Sequence, residues 1–138
     1  EGGNALEKTY HGSCHCGVVR FEADIDFSKG TLKCNCTICT KMRLWPVLVK
    51  PSAFRLLEGE SQLTTYEFHT KTEQHWFCKH CGVRAFGLGK SPRIGPFYAI
   101  NVTCLDDVTV DELVSGPVTY VDGRNDIWDK PPADIRHL

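Results

Sequence analysis

Hydrophobic side chains recur along this chain mostly at every second position. Val19, Phe21, Ala23 and Ile25 alternate with Arg20, Glu22 and Asp24, the pattern of a strand with one buried face. Over residues 97–104 the alternation returns, with Tyr98, Ile100, Val102 and Cys104 on one face and Ala99, Asn101 and Thr103 on the other. Shorter runs predict strands over residues 47–49, 63–68, 75–78 and 118–121. Turn pairs at Lys50-Pro51, Glu58-Gly59, Gly116-Pro117 and Asp122-Gly123 separate these runs. No long stretch follows the helical period. One helical turn over about residues 36–43 would set Cys36 and Cys39 on one face. The chain therefore reads as mainly β with little helix.

With 138 residues, 41% of them hydrophobic, there is enough material for one core, and a single domain is expected over residues 5–130. Residues 1–4, Glu1-Gly2-Gly3-Asn4, read as a remnant of cloning or a disordered start. Residues 131–138, opening on Pro131-Pro132, read as a poorly structured tail. The formal net charge is −1 and the basic residues are scattered among acidic ones, so no nucleic-acid partner is expected. No apolar run is long enough to span a membrane, and no signal peptide is visible, so a reducing cytoplasmic setting is expected.

Cysteine changes the picture more than charge does. Seven of the eight cysteines fall into three tight groups: Cys14 and Cys16; Cys34, Cys36 and Cys39; Cys78 and Cys81. Disulfides are the competing explanation, but cysteine is only about 6% of the chain, below a disulfide scaffold, and such close neighbours crosslink distant segments poorly. Thiolates two or three residues apart converge readily on one ion, and tetrahedral zinc accepts up to four of them. In Cys78-Lys79-His80-Cys81-Gly82 the glycine tolerates the positive φ of a tight turn around a metal, which reads as half of a structural zinc site. If Cys14 and Cys16 supply the other half, Cys34, Cys36 and Cys39 are left with three thiolates and an open coordination position. Spacing leaves this partition undecided, because Cys104 or a histidine would equally close a second structural site. Left without metal, the triplet would form a disulfide from Cys39 to Cys34 or Cys36.

Four motifs in order carry a resemblance over nearly the whole chain: His11-Gly12-Ser13-Cys14-His15-Cys16-Gly17, Cys34-Asn35-Cys36-Thr37-Ile38-Cys39, Phe77-Cys78-Lys79-His80-Cys81-Gly82 and Asn101-Val102-Thr103-Cys104-Leu105-Asp106. The chain resembles the glutathione-dependent formaldehyde-activating enzyme family, which includes centromere protein V. The resemblance implies a β-tent zinc-binding fold of small antiparallel sheets and two zinc ions. A structural zinc would sit on Cys14, Cys16, Cys78 and Cys81, and a catalytic zinc on Cys34, Cys36 and Cys39. It also implies a carbon-sulfur lyase-type reaction that adds glutathione, or a similar small thiol, to formaldehyde. The rival readings are a non-catalytic zinc module that carries a thiol or scaffolds a protein or chromatin partner, and a redox or metal sensor.

Among other residues, Cys104 is expected to pack as a small buried hydrophobe. His11, His15 and His80 read as surface neighbours of the metal clusters, and Trp45, Trp76, Phe86 and Tyr98 as core. Residues 41–45 and 84–96 are the stretches expected to line a pocket. Arg43, Arg84, Lys90 and Arg93 are candidates to meet a ligand's carboxylates.

Overall fold

The computed structural model describes residues 6–69 and 73–138. In chain order its elements are β1 (Lys8–Ser13), β2 (Arg20–Ile25), β3 (Thr31–Cys34), α1 (Thr37–Met42), β4 (Pro46–Val49), β5 (Phe54–Glu58), β6 (Leu63–Tyr66), β7 (Gln74–Cys78), β8 (Phe86–Ser91), β9 (Gly95–Asn101), α2 (Val110–Leu113) and β10 (Val118–Val121). The architecture is mainly β, as the alternation predicts. An antiparallel sheet of order β1-β2-β5 faces a larger antiparallel sheet of order β4-β9-β8-β7-β6. The remaining pair, β3 with β10, is parallel, and it brings the segment after residue 121 alongside Cys34. The expected starting segment, residues 1–4, lies outside the described residues. Among the described residues, no helix is long and apolar enough to cross a membrane.

The core forms where the inward faces of β2, β8 and β9 meet. Phe21, Ala23 and Ile25 all point inward from β2, which follows from their alternation with charged neighbours. Phe86 sits at the centre: its ring centroid lies 5.4 Å from Phe21, 4.7 Å from Phe54 and 5.7 Å from Trp76. Tyr98 stacks on Phe54 at 4.1 Å, and Trp45 anchors its Nε1–H on Thr31 Oγ1 at 2.7 Å. All four aromatic residues expected in the core are in it or packed against it.

Three strands escape the alternation rule, each for a local reason. β1 carries polar residues outward and buries only Tyr10 and Gly12, and β5 buries only Phe54. β8 contains Gly87 and Gly89, which read as breakers in a sequence. A Cβ at Gly87 would lie 2.5 Å from Arg84 Nη2, and one at Gly89 would lie 2.5 Å from the Phe97 ring, so a side chain at either position would have to displace its neighbour. The expected strand over residues 97–104 ends early: β9 stops at Asn101 and Val102–Cys104 forms a 3₁₀ turn, closed by Leu105 N–H to Val102 O at 3.2 Å. Cys104 is thereby turned off the strand face. Residues 131–138 carry no strand or helix, yet Arg43 Nη1 donates to the His137 carbonyl at 3.1 Å and holds that segment against α1.

Truncating Phe86 should remove the ring that the other aromatic residues pack around. Phe86→Ala is expected to lower stability by about 3–5 kcal/mol, read from urea midpoints at unchanged metal content, whereas the same change at exposed Phe68 should leave stability within about 0.5 kcal/mol.

Candidate metal centres

Two cysteine groups converge in space and could hold a metal ion, Cys14 with Cys16, Cys78 and Cys81, and Cys34 with Cys36 and Cys39; within each, the sulfurs lie within 4.8 Å of one another. All eight cysteines are free, so none of these approaches is a disulfide.

The four-cysteine group is built from two similar turns. After β1, Gly17 at φ +84° closes a turn with its N–H on Cys14 O at 3.2 Å; after β7, Gly82 at φ +76° does the same to Cys78 O at 2.8 Å. In both turns the first cysteine receives a backbone N–H on sulfur, from Val19 to Cys14 at 3.4 Å and from His80 to Cys78 at 3.3 Å. Such bonds favour the thiolate. Burial would raise the Cys81 thiol, but the backbone N–H groups of Val83 and Cys16 and the Cys78 and Cys14 thiols outweigh it and bring it down to about 6. The Cys14–Cys16 and Cys16–Cys78 sulfur separations are 3.7 and 3.6 Å. A tetrahedron with arms of about 2.3 Å has edges of about 3.8 Å, close to these two separations.

The triplet is assembled on the other side of the chain. Cys34 ends β3, Cys36 is the N-cap of α1, and Cys39 lies within α1. Hydrogen bonds from the Cys34 and Cys39 thiols, with the α1 backbone N–H groups of Cys39 and Ile38, pull the Cys36 thiol far below its ordinary value, and sharing that charge pushes Cys34 and Cys39 up. Cys36 therefore reaches the cluster from a helix cap, where free N–H groups favour negative charge. The expected helical turn is present, one residue shorter at each end.

Buried Asn35 holds this loop in place, and sequence reasoning missed it. Its Nδ2 donates to Asp122 Oδ1 at 2.9 Å, its Oδ1 accepts from Arg124 N–H at 3.0 Å, and its carbonyl accepts from Thr40 Oγ1 at 3.1 Å and Arg124 Nε at 3.2 Å. A Cβ at Gly123 would lie 2.5 Å from Cys34 Sγ and 2.8 Å from the Trp128 ring, so residues 122–128 lie directly on the triplet. The available signal was Asn35 itself, a turn-forming amide between two cysteines. A small cleft beside the triplet is lined by Lys33, Cys34, Cys39, Thr40, Arg43 and Leu44, with His137 and Leu138 at its edge.

Among the described residues no histidine, carboxylate or eighth cysteine joins the triplet. Cys104 is half-buried elsewhere: its Sγ donates to Arg84 O at 3.8 Å, and burial pushes its thiol up to about 11. His11 pairs with Asp107 at 2.9 Å, His80 meets Gln62 Oε1 at 2.5 Å, and His15 is exposed, so none of the three belongs to a metal group. Of the expected pocket-lining stretches, Arg43 and Leu44 reach the cleft, while Arg93 turns to the Trp128 carbonyl at 3.4 Å. Arg84 is half-buried and bonded through Nη1 to His75 Nδ1 at 2.5 Å.

The fold agrees with what comparison finds. The family model described as glutathione-dependent formaldehyde-activating enzyme matches residues 9–121, a span that contains all seven clustered cysteines. The crystal structure of a Rhodobacter sphaeroides protein is similar over 79% of this chain and 99% of its own, with 31% sequence identity and a TM-score of 0.66. The match covers most of the chain and both cysteine groups, and the chain belongs to the glutathione-dependent formaldehyde-activating enzyme family.

Proposed function

We propose that this chain binds glutathione or a similar small thiol at a zinc held by Cys34, Cys36 and Cys39. There it adds the thiol to formaldehyde or another small carbonyl compound, or releases it, as a carbon-sulfur lyase-type enzyme of the cytoplasm. The observation that carries this reading is the unequal donor count: four sulfurs close one cluster, while the second offers three and no further donor from the described residues. Zinc suits both sets because thiolate sulfur is a soft ligand and zinc takes tetrahedral geometry without redox chemistry. Bound at the triplet, it would acidify a thiol arriving in the fourth position.

The chain's own contribution is geometric. Asn35 and Arg124 fix the loop that carries Cys34 and Cys36. In the addition, the thiol sulfur bonds to the carbonyl carbon, the carbon-oxygen π electrons move to oxygen, and the thiol proton ends on that oxygen. The four-cysteine group is assigned a structural role, tying the β1–β2 hairpin to β7.

Metal analysis after reconstitution under reducing conditions should find two zinc ions per chain, one for each cluster. Cys36→Ser should lower this to one, keep the far-ultraviolet circular dichroism of the folded chain, and abolish glutathione binding in calorimetric titration. Retained glutathione binding in that variant would refute the assignment. Cys81→Ser should instead unfold the protein, because structural zinc contributes on the order of 10 kcal/mol to folding as an apparent value.

A separate measurement addresses the reaction. Magnetization-exchange NMR on mixtures of glutathione and formaldehyde should show faster interconversion with the wild-type protein and the uncatalysed rate with Cys36→Ser. An uncatalysed rate with both proteins would mean that the site binds thiol without turning it over.

A further inference from the structure

The two flanks of the cysteine triplet are held very differently. On one flank, residues 122–127 lock onto one another: Asp122 and Ile127 exchange N–H donors at 3.0 and 2.9 Å, Asp126 N–H meets Gly123 O at 3.1 Å, and Asn125 N–H meets Asp122 O at 3.2 Å. Bonds between Asn35 and both Asp122 and Arg124 then tie that loop to the segment carrying Cys34 and Cys36. On the other flank, His137 and Leu138 line the small cleft together with Cys34 and Cys39. Pro132 is buried, residues 133–137 are exposed and Leu138 is half-buried, so this stretch runs over the surface from Pro132 and turns inward again at the cleft. Among the described residues, one hydrogen bond ties residues 131–138 to the rest of the chain, from Arg43 Nη1 to the His137 carbonyl at 3.1 Å. The other bonds of the stretch are internal, from Leu138 N–H to Ile135 O at 3.0 Å and from Arg136 to Asp134.

Arg43 is an unusual residue for its place. It closes α1 at φ +50° and ψ +48°, the left-handed conformation that helix C-termini usually give to glycine or asparagine. A longer side chain held there is strained. Its N–H bonds to the carbonyls of Cys39 and Thr40, and the next N–H, of Leu44, also meets Cys39 O at 3.0 Å. One residue thus joins the helix end that carries Cys39 to the segment that borders the cleft. Glycine would serve the backbone better; what arginine adds is a donor long enough to reach His137. The cleft has a volume of about 20 Å³, room for about one water molecule. A tripeptide thiol with a carbonyl compound beside it needs far more. The flank at Gly123 has no room even for a Cβ beside Cys34.

We propose that residues 133–138 form a strap over the triplet, latched by Arg43, and that the cleft opens to a ligand when the Arg43–His137 bond breaks and the strap swings away about Pro132. This rests on the reading of the triplet as a thiol site and adds to it a control on entry. The latch is a single exposed bond, so it breaks at little cost beside the interlocked loop on the opposite flank, and segments held this way are the ones that open most readily. Its acceptor is a backbone carbonyl, so the side chain that decides the latch is the one at position 43. Arg43 is a positioning residue: it holds the strap and does not touch the reacting atoms.

The test is alkylation of the zinc-loaded full chain by iodoacetamide, with the modified cysteines located by peptide mass spectrometry, in the wild type, Arg43→Gly and Arg43→Lys. Glycine relieves the left-handed backbone, so Arg43→Gly should melt no lower than the wild type while losing the latch. Cys34 and Cys39 should then react about 3- to 10-fold faster, while Cys14, Cys16, Cys78 and Cys81 stay within about twofold of their wild-type rates. Arg43→Lys keeps a donor of similar reach and should stay near the wild type. Unchanged rates at Cys34 and Cys39 in Arg43→Gly overturn the strap, and so does equal acceleration at all seven clustered cysteines, which is general loosening. In wild-type ¹H–¹⁵N spectra glutathione should move the Leu138 amide resonance, a readout that needs no variant to fold; bound glutathione that leaves it in place overturns the strap as well. Alkylation itself needs no glutathione. Faster reaction of Cys34 and Cys39 in Arg43→Gly, beside a wild type that binds no glutathione, therefore keeps the strap and refutes the thiol reading alone.

Discussion

The structure depends on four sulfur atoms from two distant turns meeting within 4.8 Å of one another. Ionised, they would repel one another strongly at that spacing, and the repulsion grows as the surroundings become less polar. Backbone N–H groups from Val19 and His80 offset a small part of this. The arrangement therefore calls for shared protons or a cation at its centre, and a divalent ion there would turn local repulsion into a crosslink between the β1–β2 hairpin and β7. Further consequences follow along the chain. Once Cys78 is fixed, β7 places His75 three residues earlier; once Cys81 is fixed, the turn places Arg84 three residues later.

The triplet belongs to a different framework. Its loop is held by the parallel pairing of β3 with β10 and by Asn35, whose partners Asp122 and Arg124 are nearly ninety residues away in sequence. Neither contact passes through the four-cysteine cluster. Under the proposed function this separation would let a ligand come and go at the triplet without disturbing the four-cysteine group. The same framework limits access. Gly123 leaves no room for a side chain against Cys34, Trp128 lies over that glycine, and residues 137 and 138 border the cleft.

The cysteine groups were legible in sequence because metal ligands from one turn must be close in the chain. The β2 strand was legible because its buried residues alternate with more exposed ones, whereas β9 alternates in sequence but buries the neighbours Ala99 and Ile100 together. What could not be read depends on contacts that the hydrophobic pattern does not carry. Gly87 and Gly89 look like strand breakers until the Arg84 guanidinium and the Phe97 ring are seen occupying the space a side chain would need. Cys104 continues the alternation of β9 on paper, but the chain turns at Val102, where its N–H is taken by the Trp45 carbonyl at 3.0 Å. Asn35 carries no sign in sequence of its bond to Asp122. Arg84 stood among four equivalent cations until burial and the bond to His75 set it apart.

Charge balance links Arg84 to its neighbour. Three thiolates around a doubly charged ion would leave a net negative charge at the triplet. Burial disfavours the charge on Arg84 while the Cys39 and Cys36 sulfurs favour it, and that charge requires an uncharged His75 beside it. An imidazolium at His75 would turn two donors toward each other across 2.5 Å, so the guanidinium and a protonated His75 cannot share this pocket. Burial resolves the conflict in favour of the arginine, because the guanidinium cannot shed its proton near neutral pH and the imidazole can. The low pKa of His75 is thus the counterpart of a permanent cation beside the sulfur cluster. A leucine of similar size at position 75 would still fill the space, but it would leave Arg84 Nη1 without its acceptor.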